Sequence, residues 1–133
     1  MYSRDVTGID RSKHVAHWRA GACEDLAASR DLADRGHARH ALFFGHLAVE
    51  KTLKGLVTAR TGEVPPRTHD LLRLAEKAGI DTGEERALTL ARIGRYCVEG
   101  RYPESWGPAP EPGVVNDVLA KVAEILEWLN AQF

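Results

Sequence analysis

Every extended apolar pattern in this 133-residue chain repeats at steps of three and four residues, and none alternates with period two over the length of a strand. That spacing places apolar side chains on one stripe of an α-helix and leaves no material for a sheet. Helix-breaking residues then divide the pattern. Gly36, Thr61-Gly62 with Pro65-Pro66, Gly79, and a segment over 101–113 holding four prolines each end a periodic run, because glycine suits helix C-termini and proline cannot continue a helix.

The first helix is expected from about Ser12 to Asp34, with Val15, Trp18, Ala22, Leu26 and Ala33 on its inner stripe. A second, from about His37 to Arg60, carries Ala41, Phe44, Leu47, Ala48, Leu53, Leu56 and Val57, and Phe43 and Val49 widen its apolar surface. A helix apolar on two faces lies at the centre of a bundle, or meets both its own core and a partner chain. Thr68 is the expected N-cap of a short third helix from Leu71 to Ala78. Thr82-Gly83-Glu84-Glu85 has the form of a capping box opening a fourth helix, with Leu88, Ala91, Ile93, Tyr96 and Cys97, that stops near Gly100. The last helix spans about Val114 to Gln132, striped by Val115, Val118, Val122, Ile125, Leu129 and Phe133. The expected fold is all-α, an up-and-down bundle of four long helices and one short one. One domain over 1–133, with its core from about residue 12, fits the length.

Charge and cysteine usage narrow the function classes. A formal net charge of −1 argues against a surface that coats DNA nonspecifically. Cys23 and Cys97 are far apart, each within a helical pattern, and read as free core or semi-buried thiols of a reducing, cytoplasmic compartment. The N-terminal segment has no apolar signal core, and no apolar run is long enough to span a membrane.

Six histidines raise the question of a metal. No Glu is followed three residues later by His, and His-Glu-x-x-His is absent, so neither a di-metal bundle nor a zincin site is expected. The pairs His14/His17 and His37/His40 are expected on the solvated surface. No nucleophile elbow, Cys-His signature or glycine-rich phosphate loop is present, and no catalytic residue or cofactor is assigned. The remaining cluster is Glu50, Lys51 and Lys54 with His69 and the Arg101-Tyr102-Pro103 turn. Glu50 sits within the richest apolar segment, where a charge needs a partner. His69 stands at a helix start, and the planar fork of Arg101 suits phosphate or carboxylate. Both an anion or nucleotide site and a structural polar network fit these residues.

The order of these blocks carries a family resemblance. Asp25-Leu26-Ala27-Ala28-Ser29-Arg30-Asp31-Leu32-Ala33 is followed by Phe43-Phe44-x-His46-Leu47-Ala48-Val49-Glu50-Lys51-x-Leu53-Lys54. Then come Thr68-His69-Asp70-Leu71-Leu72, Tyr96 and Arg101-Tyr102-Pro103. Over roughly residues 14–130 the chain resembles the HEPN domain, the higher eukaryotes and prokaryotes nucleotide-binding family. The resemblance implies a helical bundle that forms homodimers, a minimal nucleotidyltransferase partner in a toxin–antitoxin setting, and a nucleotide or RNA ligand. It also implies that active members cleave RNA without metal, through an Arg-x(4–6)-His motif at the dimer interface. After Arg101 that motif would need His at Trp106, Gly107 or Pro108, and no His follows His69. Arg35-x4-His40 and Arg39-x6-His46 satisfy the spacing only at the start of the second helix. The expectation is therefore a binding protein without ribonuclease activity, using Glu50, Lys54, His69, Arg101 and Tyr102. Lys54 and Arg101 would meet phosphate, His69 and Tyr102 would hydrogen-bond or stack, and Glu50 would orient the basic groups. The ribonuclease toxin and the purely structural dimer module are the alternatives. Phe43, Leu47 and the Trp106 loop are the expected contact surfaces.

Overall fold

The computed structural model describes residues 10–102 and 107–133, with the side chains of 98–101 left outside that description. The described residues form five helices and no strand: α1 (Arg11–Asp34), α2 (Ala38–Thr61), α3 (Leu71–Lys77), α4 (Gly83–Arg101) and α5 (Pro112–Asn130). The all-α bundle of four long helices and one short helix is thus what the periodicity specifies.

The helix boundaries follow from local chemistry. Asp10 caps α1 by accepting from the Lys13 N–H at 3.1 Å. Gly62 closes α2 in the left-handed conformation, at φ 73°, where a Cβ would be strained. Two expected caps are displaced. Asp70, not Thr68, caps α3 by accepting from the Arg73 N–H at 3.2 Å, while the Thr68 hydroxyl accepts from the Asp70 N–H one step earlier. The Thr82 capping box does not form either. The Thr82 hydroxyl donates to the Gly83 carbonyl at 3.0 Å, and the Asp81 carboxylate takes the Gly83 N–H. In both places a nearby aspartate side chain accepts a backbone N–H at the helix start. Helix α5 starts two residues before the expected Val114, because Pro112 occupies its first turn, where a missing N–H costs nothing.

Helix α2 is the central element, packed against all four others. Its buried side chains include Leu42, Ala48, Val49, Leu53, Leu56 and Val57, and they meet Leu71 and Leu74 of α3, Leu90 and Ile93 of α4, and Val118, Val122, Ile125 and Leu129 of α5. Two glycines let neighbours approach its backbone. A Cβ at Gly45 would lie 3.1 Å from Leu119, and one at Gly55 would lie 3.2 Å from Phe133 and 3.3 Å from Trp18.

The stripes depart from expectation in three places. Phe43, Phe44 and Leu47 are only half-buried, while His46, Glu50, Thr52 and Thr58 are buried in α2. In α4, Leu88 is 67% exposed and Ala91 is also exposed, so the inner face is Leu90, Ile93 and Cys97, two residues round the helix from Leu88. Of the two thiols, Cys97 is buried but Cys23 is exposed, since Ala22, Asp25 and Ser29 take the inner face of α1. His14 is half-buried, whereas His17, His37 and His40 are exposed. No helix of the described residues is long and apolar enough to cross a membrane.

Candidate functional site

One face of α2 carries His46, Glu50 and Lys54 at successive four-residue steps, so their side chains stack one above the other. Glu50 lies at the middle of this row and is 4% exposed. A carboxylate so removed from water needs partners, and the fold supplies them. Lys54 Nζ donates to Glu50 Oε2 at 3.2 Å, with its own side chain only 12% exposed. The Lys54 ammonium also sits 5.4 Å from the centre of the Trp18 ring of α1, within cation–π range.

The second partner arrives from outside the helix. Between α2 and α3 the chain is turned by Gly62, by a Thr58 hydroxyl bond to the Glu63 carbonyl at 2.9 Å, and by a Thr68 N–H bond to the Pro66 carbonyl at 2.9 Å. This turn brings His69 back against α2, one residue before the α3 cap. Its Nδ1 lies 2.7 Å from Glu50 Oε1. An ionised carboxylate only accepts, so Nδ1 carries the proton. The imidazole side chain is 49% exposed. With Nδ1 turned inward, Nε2 lies on the opposite ring edge and has no protein partner among the described residues.

His46 completes the network from below. It is wholly buried, with Nε2 3.4 Å from the His69 carbonyl oxygen and 3.6 Å from Glu50 Oε1. Donation from His46 Nε2 to that carbonyl ties the connection to α2. One carboxylate thus faces a lysine and two imidazoles.

His69 also borders a groove of about 460 Å³ between α3 and α4, lined by Leu71, Leu72, Leu90, Gly94, Arg95 and Cys97. The groove wall is mainly apolar, with the His69 ring, Arg95 and the acidic Asp70 as its polar lining.

The structure therefore gathers Glu50, Lys54 and His69 into one cluster. Arg101 is the last residue of α4, and Tyr102 follows it, 51% exposed. The Arg101 side chain, Pro103 and Trp106 lie outside the described residues. Sequence reasoning left out His46 as a network member and Trp18 as the surface beneath Lys54. The His46/Glu50 spacing of four residues was the available signal for the first. Nothing local signals the second, because Trp18 meets Lys54 only through the packing of α1 on α2. Of the formal Arg-x-His pairs, Arg35 and His40 are exposed, while Arg39 donates to the Gly107 carbonyl and His46 is enclosed. Among the described residues no group of three or more His, Cys, Asp or Glu side chains is arranged to hold a metal ion. Lys54 already occupies one oxygen of Glu50.

The fold has solved counterparts. The protein TT1696 of Thermus thermophilus superposes with a TM-score of 0.78 at 23% identity, covering 90% of this chain and 98% of that one. ST0689, an archaeal HEPN homologue, superposes with a TM-score of 0.69 at 22% identity, covering 89% and 96%. No curated protein matches the chain in sequence. The family model described as the HEPN domain matches residues 15–132, nearly the whole bundle, and the chain belongs to the HEPN domain family.

Proposed function

We propose that this HEPN bundle is a cytoplasmic binding module for a phosphate-bearing ligand, a nucleotide or RNA, that acts as a homodimer with a minimal nucleotidyltransferase and does not itself cleave RNA. The supporting observation is the division of labour around Glu50. The buried carboxylate holds Lys54 and the inner edge of His69, and so leaves the outer edge of an oriented imidazole at the surface. A basic ring fixed in place by its fold loses little freedom on meeting a ligand, which favours affinity. Arg101 and Tyr102, following each other at the end of α4, are the further ligand contacts in this proposal. Lys54, mostly buried and paired with Glu50, holds that carboxylate in place and is not a direct ligand contact.

Calorimetric titration of the protein with a panel of nucleotides and short RNAs tests this function. Binding to at least one, lost in His69→Ala, is expected. Absence of binding to all of them, in a dimer that also ignores a co-expressed nucleotidyltransferase, overturns it.

The burial of Lys54 and His46 favours a second reading, in which the network only fixes the α2–α3 corner. Under that reading Glu50→Ala and His69→Ala lower stability or shift the dimer equilibrium and change no ligand affinity.

A further inference from the structure

The charge of the Glu50 cluster is balanced by one partner and left adjustable by another. Glu50 and Lys54 form a pair 3.2 Å apart with no net charge. His69 adds nothing to this sum while its ring is neutral. In that state Nδ1 carries the proton for Glu50, and the outward Nε2 presents a lone pair. A lone pair cannot donate to a phosphate oxygen, so the neutral ring offers an anion no hydrogen bond. Protonation of Nε2 changes both properties at once: the outer edge becomes a donor, and the cluster gains one positive charge. Nδ1 keeps its bond to Glu50 in either state, so the ring need not move.

Resting on the phosphate-binding function above, we propose that His69 is the specificity-determining contact of this site and that anion binding is coupled to uptake of one proton at His69 Nε2. Charged and titratable groups surround this ring on three helices, the nearest being the Glu50 carboxylate 2.7 Å from Nδ1. From α2 the ring faces Glu50, His46 and Lys54. Beside it at the start of α3 stand Asp70, engaged as the cap on the Arg73 N–H, and Arg73 itself. Across the groove α4 contributes Arg95 and Cys97. The second imidazole, His46, is wholly enclosed and cannot reach a ligand. A ligand that offers a donor instead, such as a neutral hydroxyl compound, meets the lone pair of the neutral ring and gives the opposite pH dependence. The sign of the slope therefore reports which ligand group sits on His69.

The test is calorimetric titration with a uridine tetranucleotide lacking terminal phosphates, whose phosphodiester charge is constant over the range. Measurements at about pH 5.5, 6.5 and 7.5, in buffers of different ionisation heat, read the number of protons exchanged on binding. Affinity should weaken as pH rises, by up to about tenfold per pH unit, with net proton uptake of up to one per ligand bound. His69→Gln keeps a side-chain donor that does not titrate and should bind with a flat pH profile. A wild-type affinity that ignores pH, proton release on binding, or an unchanged slope in His69→Gln overturns the proton coupling alone. No binding at any pH overturns the coupling together with the proposed function.

Discussion

Two lysine–carboxylate pairs lie side by side on α2, and they serve the fold differently. Lys51 reaches across to α1, with Nζ 2.8 Å from Asp25 Oδ2. Lys54 stays within its helix and pairs with Glu50. The first pair joins two helices at a partly open edge, with the Lys51 side chain 31% exposed. The second is deeper, and its carboxylate also holds an imidazole from a separate connection. The difference lies in what each carboxylate leaves over. Asp25 ends in a clamp between helices, while Glu50 sets the direction of a ring whose other edge meets solvent.

The largest expected effect comes from removing the shared carboxylate. Glu50→Ala strands the Lys54 ammonium in a nearly buried position and unties His69, and should cost about 3–5 kcal/mol in urea denaturation. A loss below about 1 kcal/mol would show that water reaches the cluster freely. His69→Ala removes one hydrogen bond to a charge while Lys54 remains on Glu50. Its expected cost is smaller, about 1–2 kcal/mol by the same denaturation assay. Ligand binding, in contrast, should be lost altogether, which separates the two measurements in a single variant.

The Asp25–Lys51 pair should respond more weakly. Asp25→Ala, leaving a lysine that can turn to solvent, is expected to cost about 1 kcal/mol, with ligand affinity unchanged. If Asp25→Ala weakened binding as strongly as His69→Ala, the distinction between clamp and site would fail. Asp70→Ala should cost about 1 kcal/mol by uncapping α3. Because Asp70 follows His69 directly, its loss should also loosen the ring, seen as broadening of the His69 side-chain resonances.

The same comparison shows what is legible in the sequence and what is not. The helices follow from apolar spacing and from Gly62, Pro65 and Pro112, since those constraints act within a few residues of chain. The presence of Glu50 in an apolar run announces a buried charge, and Lys54 four residues later names one partner. His69 could be grouped with them as a candidate from its place at a helix start, but its contact with Glu50 is not legible, because a turn of the backbone sets the 2.7 Å distance. Trp18 under Lys54 left no local mark at all. The caps expected at Thr68 and Thr82 fail for a related reason: nearby aspartate side chains take the Arg73 and Gly83 N–H groups, and three-dimensional reach, which spacing does not encode, decides this.

Glu50 holds His69 by Nδ1 and leaves Nε2 facing outward. Nitrogen-15 NMR of the histidine rings in the free protein reads this directly. At a pH where the ring is neutral, His69 should be the Nδ1-protonated tautomer, the minor form of a free histidine side chain, and should lose that bias in Glu50→Ala. A His69 ring protonated at Nε2, with no response to Glu50→Ala, would show that Glu50 does not hold the ring by Nδ1.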